Sequence, residues 1–126
     1  MNLNHGDFSI EVVGSIIAVE LNGAFNEYGV RAFIAEVKSI IVRLSGKPFS
    51  ILMKNLSLLG ATPQAFEELN VYNTWLNTQN LIAKAVVHNS TALFEISKCW
   101  VPSTNIQNIK DFDNEFHAIR WLEQQS

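Results

Sequence analysis

The residues of this chain that could perform chemistry are a single cysteine and three histidines. Cys99 paired with a histidine could act as a nucleophile, because an imidazole can accept the proton of a thiol. His5, His88 and His117, however, have neither the spacing of metal ligands nor that of a catalytic triad. A lone packed cysteine is the simpler interpretation. The sequence therefore predicts no catalytic residue, no metal site and no cofactor.

Two further patterns resemble reaction motifs but have structural explanations. Gly46 and Lys47 could end a phosphate-binding loop, yet Ile41 stands where that motif needs its first glycine and Pro48 where it needs Ser or Thr. A turn that ends a helix explains this segment better. The neighbouring acids at 67–68 fall on a predicted helix, where adjacent side chains point about 100° apart and form no acid/base pair. We therefore expect a non-enzymatic protein.

The stretch most informative about the fold spans residues 47–76. Residues 49–53 form an apolar run that predicts a buried strand, and residues 56–61 predict a loop. Thr62 and Pro63 predict the start of a helix that runs to about Asn77, because Thr caps free N–H groups and Pro suits the first helical position. In α/β sheets a ligand or partner site usually lies where strands end and helices begin.

Hydrophobic periodicity and turn residues predict the remaining elements. Strands at 8–13 and 16–22 flank a hairpin turn at Gly14-Ser15, and Asn22-Gly23 then turns the chain away. Asn26 caps a helix that runs to about Leu44. The remaining predicted elements are a strand at 82–87 and a short helix within 90–100 that Pro102 ends. They are followed by an edge strand at 106–112 and a helix at 114–124 capped by Asp113. The result is an α/β fold: a single-domain sandwich over residues 1–126 with the order ββαβαβαβα and a mixed, mainly parallel sheet that begins with an antiparallel hairpin.

Composition and charge limit the classes of partner. Hydrophobic residues make up 48% of the chain and charged residues 17%, a balance that argues against disorder. The net charge of −3 and the scattered basic residues argue against nucleic acid as a partner. One cysteine allows no internal disulfide, and the sequence shows neither a signal peptide nor an apolar run near the ~20 residues that cross a bilayer. We therefore expect a cytoplasmic protein.

Two predicted helices carry apolar stripes that are broader than one sheet face requires. On the helix that follows Thr62, Phe66 and Trp75 flank a core stripe that includes Tyr72. On the last helix, Phe116 and Trp121 lie about 140° apart. Internal helix packing, a homodimer interface, an apolar pocket and a membrane-facing patch all explain such faces, and the sequence leaves these alternatives open. We expect a homodimer.

Several of these features together resemble a known family. They are the element order, the unit around Thr62-Pro63 and the closing pattern Phe112-Asp113-x-x-x-x-Ala118-Ile119-x-Trp121-Leu122. The family is the SpoIIAA-like one, a bacterial branch of the STAS domains whose fold is related to the CRAL-TRIO lipid-binding core. The segments at 5–8 (HGDF) and 72–76 (YNTWL) strengthen the resemblance, which covers nearly the whole chain.

The resemblance implies two functions. The leading hypothesis is that an apolar or lipid-like ligand binds between the sheet and its second and last helices, with these helices movable and the protein in peripheral contact with the inner membrane face. Its ligand-binding residues would be Phe66, Tyr72, Trp75, Phe116 and Trp121.

The alternative function is that of an anti-sigma-factor-antagonist-like module, which binds a regulatory protein partner. Phosphorylation at Thr62 would regulate the module, with Ser57 as the second candidate. Residues 60–63 read Gly-Ala-Thr-Pro where those antagonists have Asp-Ser-Ser-Gly. A plain capping role for Thr62 is therefore a further alternative.

Overall fold

The computed structural model describes residues 3–125; Met1, Asn2 and Ser126, which the predicted domain includes, lie outside it. Within this range the chain forms five strands, four α-helices and one short 3-10 helix, which confirms the predicted order ββαβαβαβα. The strands are β1 (Asp7–Val13), β2 (Ile16–Phe25), β3 (Phe49–Ala61), β4 (Leu81–Val87) and β5 (Ile109–Phe112). The helices are α1 (Glu27–Arg43), α2 (Pro63–Leu76), α3 (Thr91–Trp100) and α4 (Glu115–Gln125), and the 3-10 helix (Pro102–Ile106) precedes β5.

The strands lie side by side in one sheet, in the order β1-β2-β3-β4-β5. β1 and β2 are antiparallel and joined by a tight turn in which Gly14 has a φ of 60°, a conformation that glycine adopts without strain. The other neighbouring strands are parallel. The mixed, mainly parallel sheet with an antiparallel hairpin is thus confirmed, as is the edge position of β5.

Two apolar cores lie on opposite faces of the sheet, because successive strand side chains point to opposite sides. On one face, strand residues such as Ile51 pack with α1 and with Tyr72 and Leu76 of α2. On the other face, Leu52 and β4 pack against Ala118 and Leu122 of α4. Helices α2 and α4 are therefore separated by the sheet.

The helix starts follow the capping residues that the sequence predicts, with one exception. Asn26 Oδ1 accepts from the backbone N of Gly29 at 2.9 Å, and Thr62 Oγ1 accepts from the backbone N of Ala65 at 3.1 Å. The predicted cap of α4 is wrong: Asn114, rather than Asp113, caps this helix. Its Oδ1 accepts from the backbone N of His117 at 2.9 Å, because Asn114 is the residue directly before the first helical position.

The largest correction concerns the predicted loop at 56–61, which is part of β3. The strand β2 also continues to Phe25 where a turn was expected at Asn22-Gly23, and the two segments pair through Ser57 opposite Asn22 and Ala61 opposite Phe25. The register shifts twice within this pairing, so the side-chain alternation that marks a strand is interrupted. At the other edge, β5 begins only at Ile109, because residue 106 belongs to the 3-10 helix.

None of the helices within residues 3–125 combines the length and the apolar character that are needed to cross a membrane.

Candidate functional site

Thr62 lies at the junction between the carboxyl end of β3 and the first turn of α2. Its backbone N donates to the carbonyl oxygen of Phe25 at 2.9 Å, which fixes this junction to the end of β2. Its hydroxyl caps Ala65, and its side chain is exposed. No acidic residue occupies the first turn of α2, which lies wholly within the described residues. The hydroxyl is thus accessible at a position where a negative charge is electrostatically favourable.

Ser57 is also exposed, but its surroundings are acidic. It lines a cleft together with Lys54, Glu20 and Glu115. Lys54 Nζ lies 3.8 Å from Glu20 Oε2 and 3.7 Å from Glu115 Oε1, so these two carboxylates share one cation. A further negative charge at Ser57 would face an excess of carboxylates.

The three aromatic residues predicted as ligand contacts on α2 take part in internal packing. Tyr72 is 4% exposed and meets Phe33 edge-to-face at 6.2 Å, and its burial raises the pKa of its phenol. Phe66 is buried and stacks on Trp100 of α3 at 5.8 Å. Trp75 is partly buried and packs against the core that α1 and α2 form on this face of the sheet.

The two predicted contacts on α4 lie on the opposite side of the sheet. Trp121 packs beside Phe112 at a ring separation of 5.7 Å, and Phe116 is 64% exposed. Within residues 3–125, no single pocket lies between the sheet, α2 and α4, because the sheet separates the two helices. The predicted location of an apolar ligand is therefore wrong. Helical periodicity indicates which residues are apolar, but not which face of the sheet the helix covers.

The structure forms an apolar pocket at a different place, on the α2 face of the sheet beneath α3. It has a volume of about 110 Å³, and much of its wall is apolar, including Met53, Leu69, Val86, Leu93 and Phe94. It lies at the carboxyl end of β4 and beside the middle of β3. The carboxyl ends of parallel strands are where ligands usually bind in such sheets.

A buried lysine of β4 lies in the wall of this pocket. Lys84 is 5% exposed, and its Nζ donates to Oδ1 of Asn73, which is itself 4% exposed. The same Asn73 oxygen accepts from Gln107 Nε2 at 3.1 Å, and Asn73 Nδ2 donates to the carbonyl oxygen of Leu69 at 2.9 Å. Burial lowers the pKa of the Lys84 ammonium from its ordinary value of 10.5 to about 7.

Lys84 is not among the predicted site residues, although the sequence contains a signal for it. The residue interrupts the apolar run of β4 between Ala83 and Ala85, both of which are fully buried. Lysine is rarely buried without an ionic partner, so a lysine in the middle of a short buried strand indicates a specific environment.

The other ionisable groups of the pocket wall lie nearer its mouth and have acidic partners. His88 Nε2 is 2.9 Å from Asp111 Oδ2, and its ring stacks on Phe94 at 4.7 Å. Lys98 Nζ is 3.9 Å from Glu95 Oε1. Each of these two side chains thus has a neighbouring carboxylate as its partner.

The residues considered for catalysis and metal binding remain apart. Cys99 is exposed on α3, so the expectation of a packed cysteine is wrong; none of the residues of α3, all of which are described, is buried. Across residues 3–125, no group of three or more His, Cys, Asp or Glu side chains could hold a metal ion.

Comparison of this fold with solved structures finds several close matches in shape. No known family profile matches the chain, and no curated protein is similar to it in sequence. Among solved structures, a DUF3478-family protein from Shewanella loihica, described as having a SpoIIAA-like fold, matches with a TM-score of 0.66 at 15% identity over 97% of both chains.

Two matches are anti-sigma factor antagonists. The antagonist from Mycobacterium paratuberculosis matches with a TM-score of 0.67 at 8% identity, over 94% of this chain and 95% of that one. The antagonist SpoIIAA in its unphosphorylated form matches with a TM-score of 0.65 at 12% identity, over 93% and 98%. At such identities the likeness concerns the fold. The resemblance inferred from the sequence is confirmed at this level: the protein has a SpoIIAA-like fold.

Proposed function

We propose that this chain is a non-enzymatic protein-interaction module of the anti-sigma-factor-antagonist type, which binds a regulatory protein. The observation that carries the proposal is the position of Thr62. An exposed hydroxyl begins the helix that follows the central strand, in a fold shared with anti-sigma factor antagonists.

The surface next to Thr62 has the character of a contact surface. Leu59 and Leu56 of β3 precede it and are 77% and 46% exposed, respectively. Large apolar side chains that remain exposed on the strand leading to Thr62 favour the docking of a partner protein. We therefore place the partner on the carboxyl end of β3 and the start of α2.

Phosphorylation of Thr62 would regulate this contact through charge. A phosphate carries a charge of about −2 near neutral pH. At the N-terminus of α2 the helix dipole would stabilise it, so the module would stay folded. The same charge at the edge of this contact surface would oppose the docking of an apolar partner surface. Thr62 is a better position than Ser57, because Ser57 already faces Glu20 and Glu115.

The test compares the partner complexes of Thr62 variants. The wild-type protein is used to isolate its partner from host cells, and the complex is then reconstituted from purified components and titrated. We expect Thr62→Ala to bind the partner like the wild type, and Thr62→Asp to bind at least about tenfold more weakly, a loss of ~1.4 kcal/mol. Thr91→Asp is the matched control, because Thr91 is an exposed threonine at the start of another helix.

Several results would count against this proposal. Equal affinity of Thr62→Asp and wild type would exclude Thr62 as the switch, and equal weakening by Thr91→Asp would indicate a non-specific charge effect. Mass spectrometry of protein isolated from host cells gives an independent answer: phosphate found at Ser57 and absent from Thr62 would refute the assignment. If no specific partner can be isolated, the proposed protein-binding function is itself refuted.

A further inference from the structure

We infer that the pocket beneath α3 binds a small organic acid, a carboxylate with a short apolar tail, and that Lys84 holds the carboxylate group. This inference goes beyond the proposed protein-binding function and does not depend on it. It rests on three properties of the pocket: an incompletely satisfied buried amine, the sign of the charges in its wall, and its size.

The first property is the unused hydrogen-bonding capacity of Lys84. A lysine ammonium has three N–H donors. Within the described residues, the Lys84 amine donates one hydrogen bond, to Asn73 Oδ1, although its side chain is almost completely buried. A buried cation without a counter-ion is costly, so an acceptor that enters the pocket would stabilise this lysine.

The second property is the sign of the charge. Of the described residues that line the pocket, the ionisable ones are Lys84, His88 and Lys98, and none is acidic. His88 and Lys98 have Asp111 and Glu95 as partners, and these carboxylates lie outside the pocket wall. The amine of Lys84 therefore has no anionic neighbour in the wall, and an anion is the complementary ligand.

The third property is the size of the apolar part. The volume of about 110 Å³ is somewhat below that of an apolar cavity of ~150 Å³ that accommodates benzene. Side chains such as Leu69, Val86 and Phe94 form the wall around this space. An aliphatic tail of about five carbons fits such a volume, whereas a long-chain lipid would extend far outside it.

Binding of a carboxylate should be coupled to protonation of the lysine. An adjacent anion favours the ammonium form, whereas the pKa of Lys84 near 7 means that the free protein loses this charge at mildly alkaline pH. The ligand should therefore bind more tightly below pH 7 than above it. His88 and Lys98 also face the pocket, so their contributions must be separated by substitution.

The test measures binding of hexanoate by calorimetry, with 1-hexanol as a neutral ligand of similar length. We expect wild-type protein to bind hexanoate more than about tenfold more tightly at pH ~6.5 than at pH ~8.5, because most of the Lys84 charge is lost between them. Hexanol should show no such dependence. Lys84→Met should lose most hexanoate affinity and retain that for hexanol, while Lys98→Met and His88→Gln should keep the pH dependence.

The following outcomes would overturn the inference. One is the absence of hexanoate binding at about 10 mM, where even a millimolar site would be occupied. Another is equal affinity for hexanoate and hexanol, or a Lys84→Met variant that binds hexanoate like the wild type. A third is loss of the pH dependence in His88→Gln, which would assign the effect to the histidine. NMR shifts induced by hexanoate should map to Val86 and Leu93, and shifts confined to other regions would also refute the site.

Discussion

Replacement of Lys84 by methionine should stabilise the protein at neutral pH, and the gain should shrink as the pH rises. Folding lowers the pKa of this ammonium from 10.5 to about 7. At ~1.4 kcal/mol for each pKa unit, the native state carries a penalty of about 4 kcal/mol near pH 7. Methionine is similar in length and apolar, and Asn73 Oδ1 would keep its hydrogen bond from Gln107. We expect the free energy of unfolding to increase by up to this amount.

The pH dependence has a definite sign. Between about pH 7 and pH 10.5 the unfolded chain holds a proton on this lysine that the folded protein has lost. The stability of the wild type should therefore rise with pH, by about 2 kcal/mol between pH 7 and pH 9 from this group alone. Below pH 7 both states are protonated and the penalty is constant. The Lys84→Met variant lacks this contribution, so the difference between the two proteins should decrease over the same interval.

Urea unfolding followed by tryptophan fluorescence at pH 7 and pH 9 measures both quantities. The buffer must contain no carboxylic acid, because an acid that fills the pocket would mask the penalty. Lys47→Met is the matched control, since Lys47 lies exposed in the loop before β3 and its removal should change stability by less than about 0.5 kcal/mol. If Lys84→Met is less stable than the wild type at pH 7, or if the difference between them does not change with pH, then Lys84 is not a destabilising buried amine.

Four further predictions concern the folded chain. Thr62→Ala should cost about 1 kcal/mol in chemical unfolding, whereas Thr62→Asp should cost almost nothing because Asp caps equally well; the reverse order would contradict the capping geometry. Asn26→Ala should cost about 2 kcal/mol in the same assay, because it removes the cap of α1 and the hydrogen bonds that hold the segment before β1. A loss of less than about 0.5 kcal/mol would contradict this role. Leu122→Ala should cost ~2–5 kcal/mol because Leu122 is buried, whereas Phe116→Ala should cost about 0.5 kcal/mol or less because Phe116 is exposed. Equal losses would contradict the orientation of α4 on the sheet. The homodimer stays a prediction. We expect Ile96→Glu, on the exposed face of α3, to convert the dimer to a monomer in sedimentation experiments. A wild-type protein that sediments as a monomer at high concentration would refute the predicted dimer.

The features that sequence analysis predicted correctly depend on local interactions. Asn26 and Thr62 cap helices because their side chains reach N–H groups three residues ahead, and the turn at Gly14 needs only one residue with a positive φ. The apolar stripe of α1 likewise follows from periodicity, and Phe33 and Val37 are buried as that pattern requires.

The features that it missed depend on contacts between distant segments. Residues 56–61 look like a loop until the end of β2 pairs with them, and that pairing contains two register shifts. The predicted ligand location between α2 and α4 was wrong for a similar reason. The sequence indicates that each of the two amphipathic helices has an apolar face. Which side of the sheet each face covers depends on the connections of the chain, and these place α2 and α4 on opposite sides. The pocket beside Lys84 is assembled from β3, β4, α2 and α3, so no single segment of sequence could indicate it.

The two outer strands of the sheet differ in how they would meet another β-strand. β5 has four residues, and Lys110 and Asp111 in its middle are exposed, so it offers an incoming strand few unpaired backbone groups and two charges. β1 is seven residues long, and its last residues, Val12 and Val13, are 48% and 58% exposed. Aggregation by strand addition, if the protein is concentrated or stressed, should therefore start at β1, where Asp7 and Glu11 are the charges that oppose it.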